Sequence, residues 1–420
     1  MMYARAMHRA LYTAAVQPHT LALDASLRHC RTAFELLDTM HTGKSEFHVE
    51  APQRLERGGR FKARLTAYYL PQFHRLEVND RAWGSGFTEW TNVTRTQPFF
   101  PGHLQPHLPA DLGFYDLTNA DVMRRQIDLA LHYGVTGFCF YHYWFAGRTI
   151  MDGPVRLFQQ LADPDMEFCL CWANENWSRR WENAEDDVII RQEHSVERDR
   201  LFIHDILPYL RNDRYRRIEG RKLLLVYIPE ALGAGLHDTV AYWRRIAREE
   251  GVGELAVMGT SFPSRHAFRD EPAIDGIVQF PPHRGFRGTV RIRPEQMLNT
   301  KFKGRIDDYG QTIAHLESVD YGHDRVIPGV FPAWDNSARK RERSHIFINT
   351  DPLAFERWLR HAIAKALQNP RTDGLVFINA WNEWAEGAHL EPCRWYGHAH
   401  LAACRRALLA SEPTAHVPPQ

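Results

Sequence analysis

From position 64 onward, short apolar runs alternate with longer amphipathic stretches. The runs cover residues 65–70, 136–141, 168–172, 223–228, 255–259, 276–280, 326–331 and 375–378. The stretches between them, at 119–133, 154–162, 197–210, 238–250, 309–317, 352–368 and 398–409, carry apolar residues three and four apart and read as helices. Between the fifth and sixth runs only a short helix fits. Strands alternating with helices imply parallel pairing, and eight strands are the number that closes a (β/α)8 TIM barrel. A doubly wound open sheet is the rival, but no Gly-rich phosphate loop follows the first run. No internal repeat or low-complexity segment interrupts the pattern.

The region ahead of the barrel reads differently. Residues 21–40 are helix-like, with Leu23, Leu27, Cys30, Phe34 and Leu37 at helical spacing, and residues 53–62 are charged and linker-like. The expected organisation is an N-terminal helical extension or linker over 1–60, one catalytic barrel over 61–412, and a tail over 413–420.

The segments that follow the runs are unusually rich in polar and aromatic residues, and in a barrel these strand tips converge on one face. After the first run come Gln72 and His74, then Glu89 and Trp90. His142 and Tyr143 close the second; Asn174, Glu175 and Trp177 follow the third. Trp334, Asp335 and Asn336 follow the seventh, and Trp381, Asn382, Glu383, Trp384 and Glu386 the eighth. Glu383 and Glu386 lie three apart. On a helical turn that spacing puts Cβ atoms about 5–6 Å apart, and retaining glycosidases hold their two carboxyl groups about 5–5.5 Å apart. Two carboxylates this close do not both ionise freely, so one is expected to keep a proton. An isolated pair of this kind is an ordinary acidic helix start; at a strand tip flanked by tryptophans it points to glycosidic-bond chemistry. Glu175 is the rival acid, since Asn-Glu after a strand resembles the acid/base position of other barrel glycosidases. The sugar-binding candidates are Tyr69, Gln72, His74, Glu89, Trp90, Tyr141, His142, Tyr143, Trp172, Asn174, Glu175, Trp177, Trp334, Asp335, Asn336, Trp381, Asn382 and Trp384. Tyr141 and Tyr143 are expected on one side of their strand and His142 on the other, one side lining the mouth and the other packing.

Composition narrows the partners. The 52 basic and 51 acidic residues leave a net charge of +1, which argues against a nucleic-acid binder. The six cysteines match no zinc spacing; Cys169 and Cys171 share a strand face, and all six read as free thiols of a reducing compartment. No run of 18 apolar residues and no secretory signal are seen, so the expected location is cytoplasmic. No metal or other cofactor is expected, and no paired aspartates mark a metal-dependent nucleotide-sugar site.

A family resemblance rests on long motifs: Leu70-Pro71-Gln72-Phe73-His74, Gly86-Phe87-Thr88-Glu89-Trp90-Thr91-Asn92-Val93, Gln105-Pro106-His107-Leu108-Pro109, Tyr141-His142-Tyr143-Trp144-Phe145, Cys169 through Trp177, Trp334-Asp335-Asn336 and Asn379 through Gly387. Together they resemble the WbsX-like proteins of bacterial polysaccharide clusters, which belong with the family 99-like glycoside hydrolases; the match runs from about Thr66 to Arg405. The hydrolase side is similar to endo-α-mannosidases, metal-free (β/α)8 barrels acting with retention. In their proposed mechanism one Glu takes the proton of the sugar 2-hydroxyl, which attacks the anomeric carbon, and a second Glu three residues on protonates the leaving oxygen and later activates water. The resemblance puts Glu383 in the first role and Glu386 in the second. It implies a glycan or glycolipid substrate and peripheral association with polysaccharide-assembly machinery. The polysaccharide-cluster members are often labelled glycosyltransferases, so a transferase of O-antigen or capsule assembly shares the expectation. A catalytically silent glycan-binding barrel is the third reading, and retention of both carboxylates weighs against it.

Overall fold

A computed structural model describes residues 42–57, 59–161, 163–178, 187–261, 271–282, 288–318 and 324–412, with positions 34, 35 and 38. The helix-like stretch expected over 21–40, the connection after the fifth run, and the tail lie largely outside the described residues. Five buried free thiols are seen, at Cys139, Cys169, Cys171, Cys393 and Cys404; Cys30 lies outside.

Each of the eight apolar runs forms a strand: β1 (Arg64–Tyr69), β2 (Val135–Phe145), β3 (Glu167–Trp172), β4 (Arg221–Val226), β5 (Leu255–Ser261), β6 (Gly276–Gln279), β7 (Val326–Ile327 and Gly329–Val330) and β8 (Leu375–Ile378). They pair in parallel, and the path of hydrogen-bonded neighbours begins at the first half of β7 and ends at its second half. Only Pro328 separates the halves. It has no N–H to donate, but its carbonyl accepts from Phe377 at 2.9 Å. One side of this interrupted strand pairs with β6 and the other with β8, so the chain itself joins the two ends of the sheet into a barrel.

The two faces of each strand have different fates. Thr66, Gly137 and Glu167 lie level across β1, β2 and β3, as do Tyr68, Cys139 and Cys169 one layer higher. These point inward: the Tyr68 ring packs on Phe280, 4.7 Å away across the barrel, and on Phe377 of the neighbouring β8 at 5.4 Å. The alternate residues, among them Tyr69, Phe138, Phe140, His142 and Trp172, face outward. The floor of the barrel is plugged by Arg216, fully buried, which donates to the Thr66 hydroxyl at 2.6 Å and the Thr136 carbonyl at 2.9 Å and pairs with Glu167 at 2.8 Å. Its room exists because Gly137 has no side chain: a Cβ there would stand 2.7 Å from the guanidinium carbon.

Helices cover the outer face. Ala120–His132 starts at an Asn119 cap, whose side chain accepts from the Asp121 N–H, and Val196–Leu210 starts at a Ser195 cap. A small structure decorates the C-terminal rim. Arg305–Asp308 pairs in parallel with His345–Ile348, over a small core of Phe99, Phe100, Ile306 and Ile346. Ahead of the barrel, Phe47 and Val49 pack against the main core, and the Val49 carbonyl accepts from the His398 N–H at 2.8 Å.

Candidate active site

The eighth strand delivers the carboxylate pair. Beyond β8, Asn382–Glu383 folds back in antiparallel pairing on Ala388–His389. The turn between them is a single 3-10 loop, Trp384–Glu386, closed by Gly387 at φ 62°. Residues three apart eclipse on a 3-10 turn, so Glu383 and Glu386 project to the same side. Both line a cavity at the C-terminal mouth. Leu70 and Gln72 beyond β1, Tyr141 and Tyr143 of β2, Glu175 and Trp177 beyond β3, Tyr227 beyond β4 and Phe280 beyond β6 complete its wall. A larger cavity opens at the opposite end among Arg221, Arg244 and Asp275. There Asp275 already holds Arg221 at 2.5 Å and Arg244 at 2.7 Å, so size does not select the site.

The centre of the mouth is Arg339, which the sequence reading did not include. It comes from Ser337–Lys340, the short helix beyond β7, and is 6 % exposed. Its guanidinium meets three carboxylates: Glu386 Oε1 at 2.8 Å through Nη1, Glu383 Oε2 at 2.9 Å through Nη2, and Glu89 Oε2 at 3.2 Å through Nε and Nη2. The loop is braced for this. The Asp335 N–H donates to the Glu386 carbonyl at 2.7 Å, and the Asn336 side chain accepts from the His345 N–H at 2.8 Å. Five acidic residues among the predicted tips made a buried cation due, since buried carboxylates are paired; that imbalance was the available signal.

Burial pushes the Glu383 carboxyl up to about 8; Arg339 opposes the shift, while Glu386 and Glu89 add to it. Burial likewise raises Glu89 against the pull of Arg339. Arg339 resists its own burial because Glu89, Glu383 and Glu386 hold it well above the ordinary range. Burial and mutual repulsion thus favour a proton shared among these carboxylates, beside the fixed charge of Arg339.

The remaining candidates divide by strand face. Tyr141 and Tyr143 point into the mouth, and Gln72 donates to the Tyr143 hydroxyl at 3.2 Å. Trp177 packs against Tyr143 with ring centres 5.1 Å apart. Three proposed sugar ligands face the other way. The Tyr69 hydroxyl donates to Gln126 at 2.8 Å beneath the Ala120–His132 helix. His142 packs on Phe202 and Tyr209, where burial lowers its pKa to about 4. Trp172 stacks on Phe202 at 4.5 Å. All sit at odd steps from the inward residues, so none reaches the cavity.

Others hold loops instead of lining the cavity. Asn382 clamps the end of β1, accepting from the Leu70 N–H at 2.7 Å and donating to its carbonyl at 3.0 Å. Asn174 does the same to Ile228, 2.7 Å each way. Asp335 is enclosed by His103, Gln105 and the Ser337 N–H, which overcome burial and hold its carboxyl down at about 2. Trp90 donates to the Tyr115 carbonyl at 2.8 Å and packs on Trp384. Trp384 stacks on His389 at 3.8 Å and donates to Glu391 at 2.7 Å. Trp381 packs on Phe138 at 5.0 Å, outside the barrel. His74 is buried, which lowers its pKa, and Trp334 lines a neighbouring cavity with His103 and His107. Glu89 stands behind Arg339, outside the cavity lining.

Glu391 is a second buried acid that the sequence reading omitted. It accepts from Tyr115 at 2.7 Å, Gln126 at 2.6 Å and Trp384, yet burial still raises it to about 7. It lies beneath the carboxylate turn, not in the mouth. Among the described residues no three His, Cys, Asp or Glu gather as a metal site, and no helix is long and apolar enough to cross a membrane.

Comparison with known proteins agrees with this architecture. The chain is similar to the GH99 endo-alpha-mannosidase of Bacteroides thetaiotaomicron solved with bis-tris-propane, at 14 % identity and TM-score 0.53, covering 82 % of this chain and 96 % of that one. A solved glycoside hydrolase-like protein matches at 14 % identity and TM-score 0.53, covering 86 % and 98 %. These likenesses give the fold. In sequence, the uncharacterized protein WxcX of Xanthomonas campestris pv. campestris is 44 % identical over 347 residues, 82 % of this chain. The chain spans about half the length of that relative, 50 %. The family model of glycosyltransferase WbsX matches residues 65–404, which takes in every barrel strand and the whole carboxylate turn, and the chain belongs to that family.

Proposed function

We propose that this chain is a glycan-active enzyme that cleaves or transfers an α-linked, mannose-type unit with retention, using Glu383 and Glu386. The observation that carries the reading is the shared guanidinium: one buried Arg339 holds both carboxylates of a single turn at the mouth of the barrel. Short spacing favours retention. Tyr141, Tyr143 and Trp177 offer aromatic surface to a sugar ring.

The proposed roles follow exposure. Glu383 is buried, and once ionised it is a strong base, suited to taking the proton of the sugar 2-hydroxyl. The Glu386 side chain is 22 % exposed, open to a leaving oxygen and then to water. Burial leaves the resting proton on Glu383, so the reaction needs it on Glu386. A bound ring that dries Glu386 favours that transfer, because desolvation penalises the charged form. Glu175, across the cavity, is the alternative acid.

The test uses leaving groups of different demand. Glu383→Gln and Glu386→Gln are each expected to lower turnover of an α-mannoside by about 10²–10⁴-fold. An α-mannosyl fluoride needs little protonation, so it restores the first step, read as fluoride release in a single turnover, in Glu386→Gln and not in Glu383→Gln; NMR of the first-formed anomer of the unaltered protein reads retention. If Glu386→Gln stays active on ordinary glycosides while Glu175→Gln is dead, the acid is Glu175. The family's description favours a second reading, in which the same pair passes the ring to a glycan hydroxyl. Turnover of an activated donor only when an acceptor glycan is present supports it.

A further inference from the structure

Arg339 meets one carboxylate more than a paired mechanism uses. Glu89 is fully buried and does not line the cavity, yet it takes the Nε–Nη2 edge of Arg339, both contacts at 3.2 Å. Glu383 shares Nη2 and Glu386 takes Nη1. A guanidinium is a rigid planar fork. Fixing one edge therefore decides where the other two nitrogens point. The charge count matters as well: one cation facing three carboxylates leaves an excess of negative charge, which favours keeping a proton on the group.

We propose that Glu89 is a positioning residue: from behind Arg339 it aims the guanidinium so that Glu383 and Glu386 receive one nitrogen each, and its charge holds a proton on the pair. This rests on the reading of Glu383 and Glu386 as the reacting pair. The groups facing Glu383 come from every wall of the mouth: Tyr141 and Tyr143 of β2, Glu175 beyond β3, Tyr227 beyond β4, Arg339 beyond β7 and Glu386 on its own turn. None of these other groups stands behind the guanidinium. Glu89 is therefore the one whose charge can be removed without touching the cavity wall.

The experiment reads Glu383 directly, with no substrate. In protein labelled with ¹³C at the glutamate side-chain carboxyl, the signal missing from Glu383→Gln belongs to Glu383, and its titration midpoint is followed by NMR. Glu89→Gln is expected to lower that midpoint by on the order of one pH unit. Glu89→Asp keeps the charge but draws it back, so it leaves the midpoint near that of the unaltered protein while turnover falls on the order of tenfold. A midpoint unmoved in Glu89→Gln overturns the proposal, as does Glu89→Asp moving it as far as Glu89→Gln. If Glu89→Gln does not fold, Glu89→Asp decides on its own: an unmoved midpoint with turnover intact sinks the aiming role. Active Glu383→Gln enzyme, by contrast, sinks the reading of the pair and leaves the titration result standing.

Discussion

Two arginines are buried at opposite ends of this barrel, and their partners differ. Arg216, at the floor, is satisfied by a threonine hydroxyl, a backbone carbonyl and Glu167, whose side chain is 37 % exposed. Burial lowers its pKa. Arg339, at the mouth, is met by three carboxylates that hold its pKa high. The floor arginine fills a space that Gly137 vacates, and its surroundings are neutral enough to be structural. The mouth arginine sits amid more negative charge than it can neutralise. That excess is a poor way to hold a fold together and a good way to store a proton. Conservation at the bottom of such barrels reads as stability and chemistry gathers at the top; here the same side chain serves each end.

Removing each guanidinium tests the contrast most strongly. Arg339→Met is expected to lower turnover by about 10²–10³-fold and to cost about 3–5 kcal/mol at pH 7, as breaking one side of a buried pair does. That cost shrinks towards pH 5 in thermal melts, because Glu89 and Glu383, already raised, take protons when the cation is gone. Arg216→Met is expected to cost about 1–3 kcal/mol, with turnover unchanged. Equal losses of turnover in both variants would erase the distinction.

The pH profile sharpens it. Glu383 has its folded-state pKa raised from 4.5 to about 8, so its proton is present below that value and lost above it. With Glu386 as the acid that receives this proton, kcat/KM is expected to fall about tenfold between pH 7 and pH 9. A profile flat to pH 9 contradicts a stored proton. A smaller effect is expected at Gly387. A Cβ there would stand 2.9 Å from the Asp335 nitrogen that binds Glu386, and the backbone has φ 62°. Gly387→Ala should cost about 1–2 kcal/mol, with a larger proportional loss of turnover than Arg216→Met. The smallest expected effect is none: exhaustive chelation leaves turnover intact, and rescue by a divalent ion after its loss would replace the carboxylate mechanism.

The barrel was legible because eight apolar runs are spaced by amphipathic stretches, and burial on both faces leaves a strong mark. The carboxylate turn was legible because Glu383 and Glu386 lie in one short segment. The wall of the site was less so, for a reason of parity. Tyr69, His142 and Trp172 stand at the correct ends of their strands and on the wrong faces, while Tyr141 and Tyr143, one step away, point into the mouth. When both faces are buried, hydrophobic alternation no longer says which is inward. Arg339 was missed because its loop has no periodicity, and its partners lie 250, 44 and 47 positions away, read from residues 89, 383 and 386.

The layer of thiols inside the barrel gives the molecule its own clock. Cys139, Cys169 and Cys171 are wholly enclosed, at the level of Tyr68 and just above it, with strands on every side. A thiol reagent reaches them only when the staves part. The slow phase of alkylation therefore counts openings of the whole cylinder, while Cys393 and Cys404, buried in the segments outside it, count openings of those segments. With its native thiols alone, the chain can report how often its barrel comes apart.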